Sequence, residues 1–130
     1  MTKSSPSLVL VVDDDSRSRE LMTIILRAAG HEVMVAGDPQ EAIALLSTAR
    51  PALALVDYVM PGMNGVEFCR WVRLQTEHAA LRLVLLTGMD SVEIHAEAQA
   101  AGADAVVTKP FDRLALLSRL NSLLELPTAR

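Results

Sequence analysis

Leu8-Val9-Leu10-Val11-Val12-Asp13-Asp14-Asp15 is an unbroken apolar run that ends in three carboxylates. Three more short apolar runs end on a polar group. Residues 53–56 meet Asp57, residues 83–86 meet Thr87, and residues 105–107 lead through Thr108 to Lys109-Pro110. A Leu/Val run without polar alternation suits a strand covered on both faces, as in parallel sheets. Placed as parallel strands of one sheet, the four runs deliver their polar groups to a single edge. Open α/β sheets bind ligands at that edge, where the strand order reverses. Several carboxylates, a hydroxyl and an ammonium then share one small pocket. Crowded carboxylates repel one another, and Lys109 alone does not neutralise them. Hard divalent cations take oxygen ligands, and Mg²⁺ uses a few carboxylates while keeping several waters. The pocket reads as a Mg²⁺ site with a lysine and a threonine left to grip an anion, phosphate first.

Between these runs the apolar spacing becomes helical. Leu21, Ile24, Ile25 and Ala28 predict the inward face of a first helix, closed by Gly30. Residues 31–36 alternate weakly and predict a strand near a sheet edge. Asp38-Pro39-Gln40-Glu41 has the form of a helix start, with an acceptor at the cap, proline next and glutamate at the third position. Ala42, Leu45, Leu46 and Ala49 mark the inner face behind it, and Pro51 enforces the stop. Pro61-Gly62-Met63-Asn64-Gly65 is turn chemistry, followed by a helix carrying Val66, Cys69, Trp71 and Val72. Ser91 caps a helix ending before Gly102. Asp112 caps a last helix with Leu114, Leu117, Leu120 and Leu124. Strands alternating with helices of this length imply right-handed crossovers and a parallel sheet. One domain over residues 8–126 accounts for the pattern, with 1–7 a disordered or frayed start and 127–130 a tail.

Composition removes several function classes. The chain has 130 residues, and a domain near that size buries roughly two-thirds of its unfolded surface. The net charge of −4 and the lack of a basic stripe argue against nucleic-acid binding by this domain. Cys69 is the only cysteine, so no internal disulfide forms, and a lone thiol suits a reducing cytosol. No apolar run approaches a membrane span, and the polar residues 1–7 do not read as a signal peptide. A cytoplasmic protein without membrane contact is expected.

Taken in order, four segments resemble the receiver domain of two-component response regulators. They are Val11-Val12-Asp13-Asp14-Asp15, Asp57 with Met60-Pro61-Gly62-Met63-Asn64-Gly65, Leu86-Thr87, and Lys109-Pro110-Phe111. The resemblance spans roughly residues 8–126. It implies a flavodoxin-like (CheY-like) doubly wound (βα)5 fold, a five-stranded parallel sheet in the order 2-1-3-4-5. The first and third strands then flank the reversal point, so Asp13 and Asp14 face Asp57 across it.

The resemblance also implies a role for each residue. Asp57 accepts a phosphoryl group from a phosphohistidine, forming an aspartyl phosphate. The donor is a sensor histidine kinase or a histidine phosphotransfer protein. Asp14, the Asp57 carboxylate and the backbone carbonyl of Val59 hold Mg²⁺ directly, and Asp13 reaches it through water. Lys109 pairs with the phosphoryl oxygens as a movable point charge, across a Lys109–Pro110 bond that the family usually has in cis. Thr87 donates its hydroxyl to a phosphoryl oxygen once Asp57 is modified. Asp15 stays outside the site, as an acid favoured by the helix dipole. Cys69 is expected to pack, with Phe68 and Trp71 beside it in the core or half-buried. His31, His78 and His95 are read as surface residues without a second ligand at metal spacing. The expected partners are that phosphodonor, a downstream effector, and a second copy through the face of the fourth helix, fifth strand and fifth helix.

This chain departs from the family pattern at three places. Val106 stands where receivers often carry an aromatic residue that turns inward with the threonine. Gly88 removes a side chain from the pocket rim. Val59 is apolar where many relatives are polar, which predicts slow loss of the phosphoryl group. Two other functions compete. A haloacid-dehalogenase-like phosphatase also uses Mg²⁺ and an aspartate, and Asp13-x-Asp15 loosely suits it. Arg17 occupies the place where that motif wants Thr or Val, no substrate cap is evident, and the Asp57 loop goes unexplained. A receiver used only for protein contacts is the other alternative, although such relatives usually lose an acid or the lysine. The expectation is a signalling domain, not an enzyme beyond its own phosphoryl transfer and dephosphorylation.

Overall fold

The computed structural model describes residues 6–126. Residues 1–5 and 127–130, most of the expected frayed start and all of the expected tail, lie outside that range. The elements run β1 (Leu8–Val12), α1 (Ser16–Ala28), β2 (Glu32–Ala36), α2 (Pro39–Leu46), β3 (Leu53–Asp57) and α3 (Gly65–Arg73). A 3₁₀ turn at Thr76–His78 follows, then β4 (Arg82–Thr87), α4 (Val92–Ala100), β5 (Ala105–Thr108) and α5 (Arg113–Glu125). All strand pairs are parallel and the sheet order is β2-β1-β3-β4-β5. The order reverses between β1 and β3, as the resemblance implied.

Alternation along the strands divides the core into two layers. Leu10, Val12, Ala54, Val56, Leu83 and Leu85 point to one face and pack against α2, α3 and α4 through Ala42, Leu46, Phe68, Val72, Ile94 and Ala98. Val9, Val11, Leu53, Leu55, Val84 and Leu86 point to the other, against Met22 and Leu26 of α1 and Leu116 and Leu120 of α5. Each such aliphatic side chain contributes about 1.5–3 kcal/mol on burial. With both faces covered, the central strands have no polar side to expose. Their continuous Leu/Val runs follow from that.

Helix starts are encoded locally. Asp38, Ser91 and Asp112 accept from the backbone N–H groups of Glu41, Ile94 and Ala115. Asn64 and Glu67 form a reciprocal capping box on α3. Substituting such a cap by alanine costs about 1 kcal/mol. Gly30 follows α1 with φ +95°, a left-handed position where glycine is the natural residue.

Two helix faces differ from the sequence expectation. On α1 the inward stripe is Met22, Ile25 and Leu26, whereas Leu21 and Ile24 are 54% and 60% exposed and Ala28 is also exposed. Apolar residues crowd positions 21–26 all round this helix, so spacing alone did not choose the buried side. On α5 Leu116 joins Leu120 in the core beneath the sheet and Leu114 faces out; the sheet, not the cap, selects that face. Two of the histidines also differ: His31 and His78 are buried, and only His95 is exposed. The His31 Nδ1 accepts the Ser7 N–H at 3.1 Å, while the Ser7 carbonyl accepts the Glu32 N–H at 3.0 Å. His31 thereby ties the entry of β1 to that of β2.

His78 closes the opposite end of the sheet from the acidic edge, where it lines a cavity of about 250 Å³ with Arg50, Arg82 and Leu124. Burial, helped by the nearby Arg50 charge and opposed by Glu77, pushes its pKa below the ordinary histidine value. A depressed histidine pKa means that the unfolded chain takes up the proton first. The contribution is therefore complete above the usual histidine pKa near 6.5 and is lost as the pH falls through it. Urea unfolding of wild type and His78→Gln at several pH values between 5 and 8 is expected to show a steeper acid loss in wild type. Equal slopes would remove His78 from that role.

Candidate functional site

The β1 and β3 registers place the site. Val12 lies opposite Val56, so the next residues, Asp13 and Asp57, leave the sheet side by side. Asp57 lies opposite Leu86, and Thr87 opposite Thr108, which brings Thr87 and Lys109 to the same edge. Oxygen atoms of Asp13, Asp14 and Asp57 all lie within 4.8 Å of one another. Asp13 and Asp57 are 5% and 7% exposed; Asp14 faces solvent.

Lys109 is the counter-charge. Its Nζ stands 2.5 Å from Asp57 Oδ1, and its backbone N–H donates to the Thr87 carbonyl at 2.7 Å. The Lys109–Pro110 peptide is cis. Burial raises the Asp13 pKa, and the Asp57 and Asp14 charges add to that rise. The Asp15 N–H, which donates to Asp13 Oδ1 at 2.9 Å, and Lys109 oppose it. Asp15 itself caps α1, accepting from the Arg17 N–H and the Ser18 hydroxyl, with the Ser18 bond the main cause of its lowered pKa. In the structure it is the cap of α1.

The loop after Asp57 is held tightly. The Tyr58 N–H donates to the Leu86 carbonyl and the Gly65 N–H to the Tyr58 carbonyl, both at 2.8 Å. A Cβ at Gly65 would stand 2.5 Å from the Asp57 carbonyl oxygen and 2.6 Å from a Leu85 methyl. Only glycine lets α3 start this close to β3. Val59 lies at the rim, 65% exposed.

Thr87 is fully buried, and its hydroxyl accepts the Met89 N–H at 3.0 Å. It is thus engaged with the β4–α4 loop. Val106 is half-buried against the α2–α3–α4 layer, and Gly88 is exposed beside Thr87.

The donor set is oxygen only, two carboxylates sheltered and one open to solvent. It fits a hard divalent cation such as Mg²⁺, which keeps open positions for water and an incoming ligand. Spacing did not single out Arg19, whose Nη1 donates to the Asp13 carbonyl at 2.7 Å. A cation six residues beyond the first acid, one turn into a helix, was the available signal.

Comparison with known proteins agrees with this geometry. A family model described as "Response regulator receiver domain" matches residues 9–121. The chain is 37% identical over 115 residues to the DNA-binding response regulator MtrA of Mycolicibacterium paratuberculosis, covering 88% of this chain and 49% of that protein. It is 31% identical over 116 residues to the phosphate regulon transcriptional regulatory protein PhoB of Pseudomonas aeruginosa, covering 89% and 51%. The chain therefore spans about half the length of these curated relatives. Among solved structures, the chemotaxis protein CheY4 of Vibrio cholerae superposes with a TM-score of 0.86 at 35% identity, covering 92% of this chain and 99% of that one. The family match runs through all four strand ends that build the acidic pocket, and the chain belongs to the receiver domains of response regulators.

Proposed function

We propose that this receiver, one unit over residues 8–126, accepts a phosphoryl group on Asp57 from a phosphohistidine of a histidine kinase or histidine phosphotransfer protein. The supporting observation is the Asp57 carboxylate, sheltered at the strand end, with Lys109 on one oxygen and Asp13 and Asp14 within reach. An Asp57 oxygen attacks phosphorus, the P–N bond breaks as the P–O bond forms, and the departing imidazole retains or takes up a proton. Asp14, Asp57 and the Val59 carbonyl would hold Mg²⁺ directly, and Asp13 would reach it through water. When bound, the cation supplies charge neutralisation to the transferring oxygens. Lys109 exchanges its Asp57 oxygen for a phosphoryl oxygen. Thr87 leaves the Met89 N–H and donates its hydroxyl to the new anion.

That hydroxyl movement pulls on the β4–α4 loop, through which the change reaches α4, β5 and α5. Val106 gives this chain no aromatic ring to turn inward, so the loop itself carries the signal. Exposed Val92 on α4 and Leu114 on α5 support a homodimer or a downstream effector docking on that face. No described helix is long and apolar enough to cross a membrane; the cytoplasmic setting is proposed from the family alone. The phosphatase alternative is disfavoured, because the best-sheltered pair of acids joins β1 to Asp57 and not to Asp15.

Incubation with Mg²⁺ and a small acyl phosphate, read by intact mass, tests the proposal. A gain of one phosphoryl group is expected, absent without Mg²⁺ and absent in Asp57→Asn. No gain in folded wild type would favour the contact-only alternative, and steady turnover of a phosphate monoester the phosphatase. For phosphorylated protein, Val59→Asn gives the attacking water a polar partner at the rim. It is expected to shorten the lifetime roughly threefold, about 0.65 kcal/mol of barrier. An unchanged lifetime would remove Val59 from the control of hydrolysis.

A further inference from the structure

We propose that Arg19 is a positioning residue for the cation-binding acids, acting through the peptide that joins Asp13 to Asp14. The proposal rests on reading Asp13, Asp14 and Asp57 as a Mg²⁺ site.

The strand pairings of β1 stop at Val12, so the next carbonyl lies past the end of the ladder. Arg19 Nη1 takes it at 2.7 Å. A guanidinium on a backbone oxygen makes a charge-assisted bond, shorter and stronger than a neutral one. The residue is placed for this by the helix. Its own N–H donates to the Asp15 carbonyl at 3.0 Å, so it sits in the first turn of α1, and side chains there lean back toward the N-terminus.

The guanidinium is seated from a second direction by the β2–α2 turn. A Cβ at Gly37 would stand 3.1 Å from Arg19 Nη1 and 3.6 Å from its Cζ. Glycine leaves that space, and the Gly37 N–H is itself held by Glu41 Oε1 at 2.7 Å. Asp13 is thus fixed at three points. Its N–H donates to the Ala36 carbonyl at 3.1 Å, its carboxylate accepts the Asp15 N–H, and its carbonyl accepts Arg19. The second closes a turn around the Asp13–Asp14 peptide, and the third holds the carbonyl of that peptide from outside the turn. Without the third, the peptide can tilt within the turn and carry the exposed Asp14 with it.

Mg²⁺ demands near-ideal octahedral placement of its ligands, so a small rotation of that peptide matters. Charge and positioning predict opposite signs. If Arg19 acted only as a positive charge near the acids, its removal would tighten cation binding. If it positions them, removal weakens binding, and groups supporting metal ligands typically account for about 10–100-fold in affinity.

Calorimetric titration of Mg²⁺ into wild type, Arg19→Ala and Arg19→Lys reads that sign, with a thermal melt confirming folding. About tenfold weaker binding is expected in Arg19→Ala, with much of it recovered in Arg19→Lys. Amide exchange of the metal-free Arg19→Ala protein is expected to quicken at Asp14 and Asp15 while β3 stays protected. Should the alanine variant not fold, Arg19→Gln carries the same comparison. Binding within about twofold of wild type, or tighter, in the uncharged variant overturns the proposal. If wild type itself takes up no Mg²⁺, the site reading fails and this inference with it, an outcome the wild-type titration reveals alone.

Discussion

Three carboxylates within 4.8 Å of one another are the constraint around which the molecule is built. Two of them are sheltered from water, where like charges repel more strongly than at a surface. One ammonium, that of Lys109, stands against them. The parallel register of β1 and β3 creates this crowding, since side-by-side strands that end together must set their next residues side by side. The Ala36 carbonyl, the Asp15 N–H, the Gly65 approach and the Arg19 side chain each fix one segment of the arrangement.

The two-layer core is what makes such crowding tolerable. β3 is buried along its whole length, so Asp57 is presented by a strand packed on both faces. Burial of the aliphatic side chains supplies stability far from the charges. On the other side of the pocket the Thr87 hydroxyl bonds to the β4–α4 loop and not to a strand. A carboxylate on a buried strand beside a hydroxyl bonded to a loop fits the two-state signal proposed for this receiver. Cys69, by contrast, takes no part: burial pushes its thiol up to about 12, and it packs beneath α3.

Much of this was legible in the sequence for identifiable reasons. Leu/Val runs that end on Asp13, Asp57 and Thr87 suit strands buried on both faces, and the run leading to Lys109 forms the half-buried edge strand β5. Once parallel, they force their ends together. Asp38, Ser91 and Asp112 mark their helix starts because capping is local chemistry. What escaped was set by tertiary contact. The buried side of α1 was ambiguous because Leu21, Met22, Ile24, Ile25 and Leu26 surround the helix, and only the sheet chooses among them. His31 and His78 read as polar residues until the β1–β2 entry and the base of the sheet enclose them. Arg19 is an ordinary helix cation in sequence, and its bond to Asp13 depends on a turn made by Gly37, far along the chain.

The most direct measurement is urea unfolding of wild type and Asp13→Asn, each with and without Mg²⁺. Asparagine keeps the oxygen that accepts the Asp15 N–H but removes one buried negative charge whose ionised form is disfavoured by burial and by Asp57. If the crowded acids are held at a cost that a cation relieves, Asp13→Asn is more stable than wild type without Mg²⁺ and gains less when Mg²⁺ is added. A variant less stable than wild type without Mg²⁺, with an undiminished gain on adding it, would contradict that account.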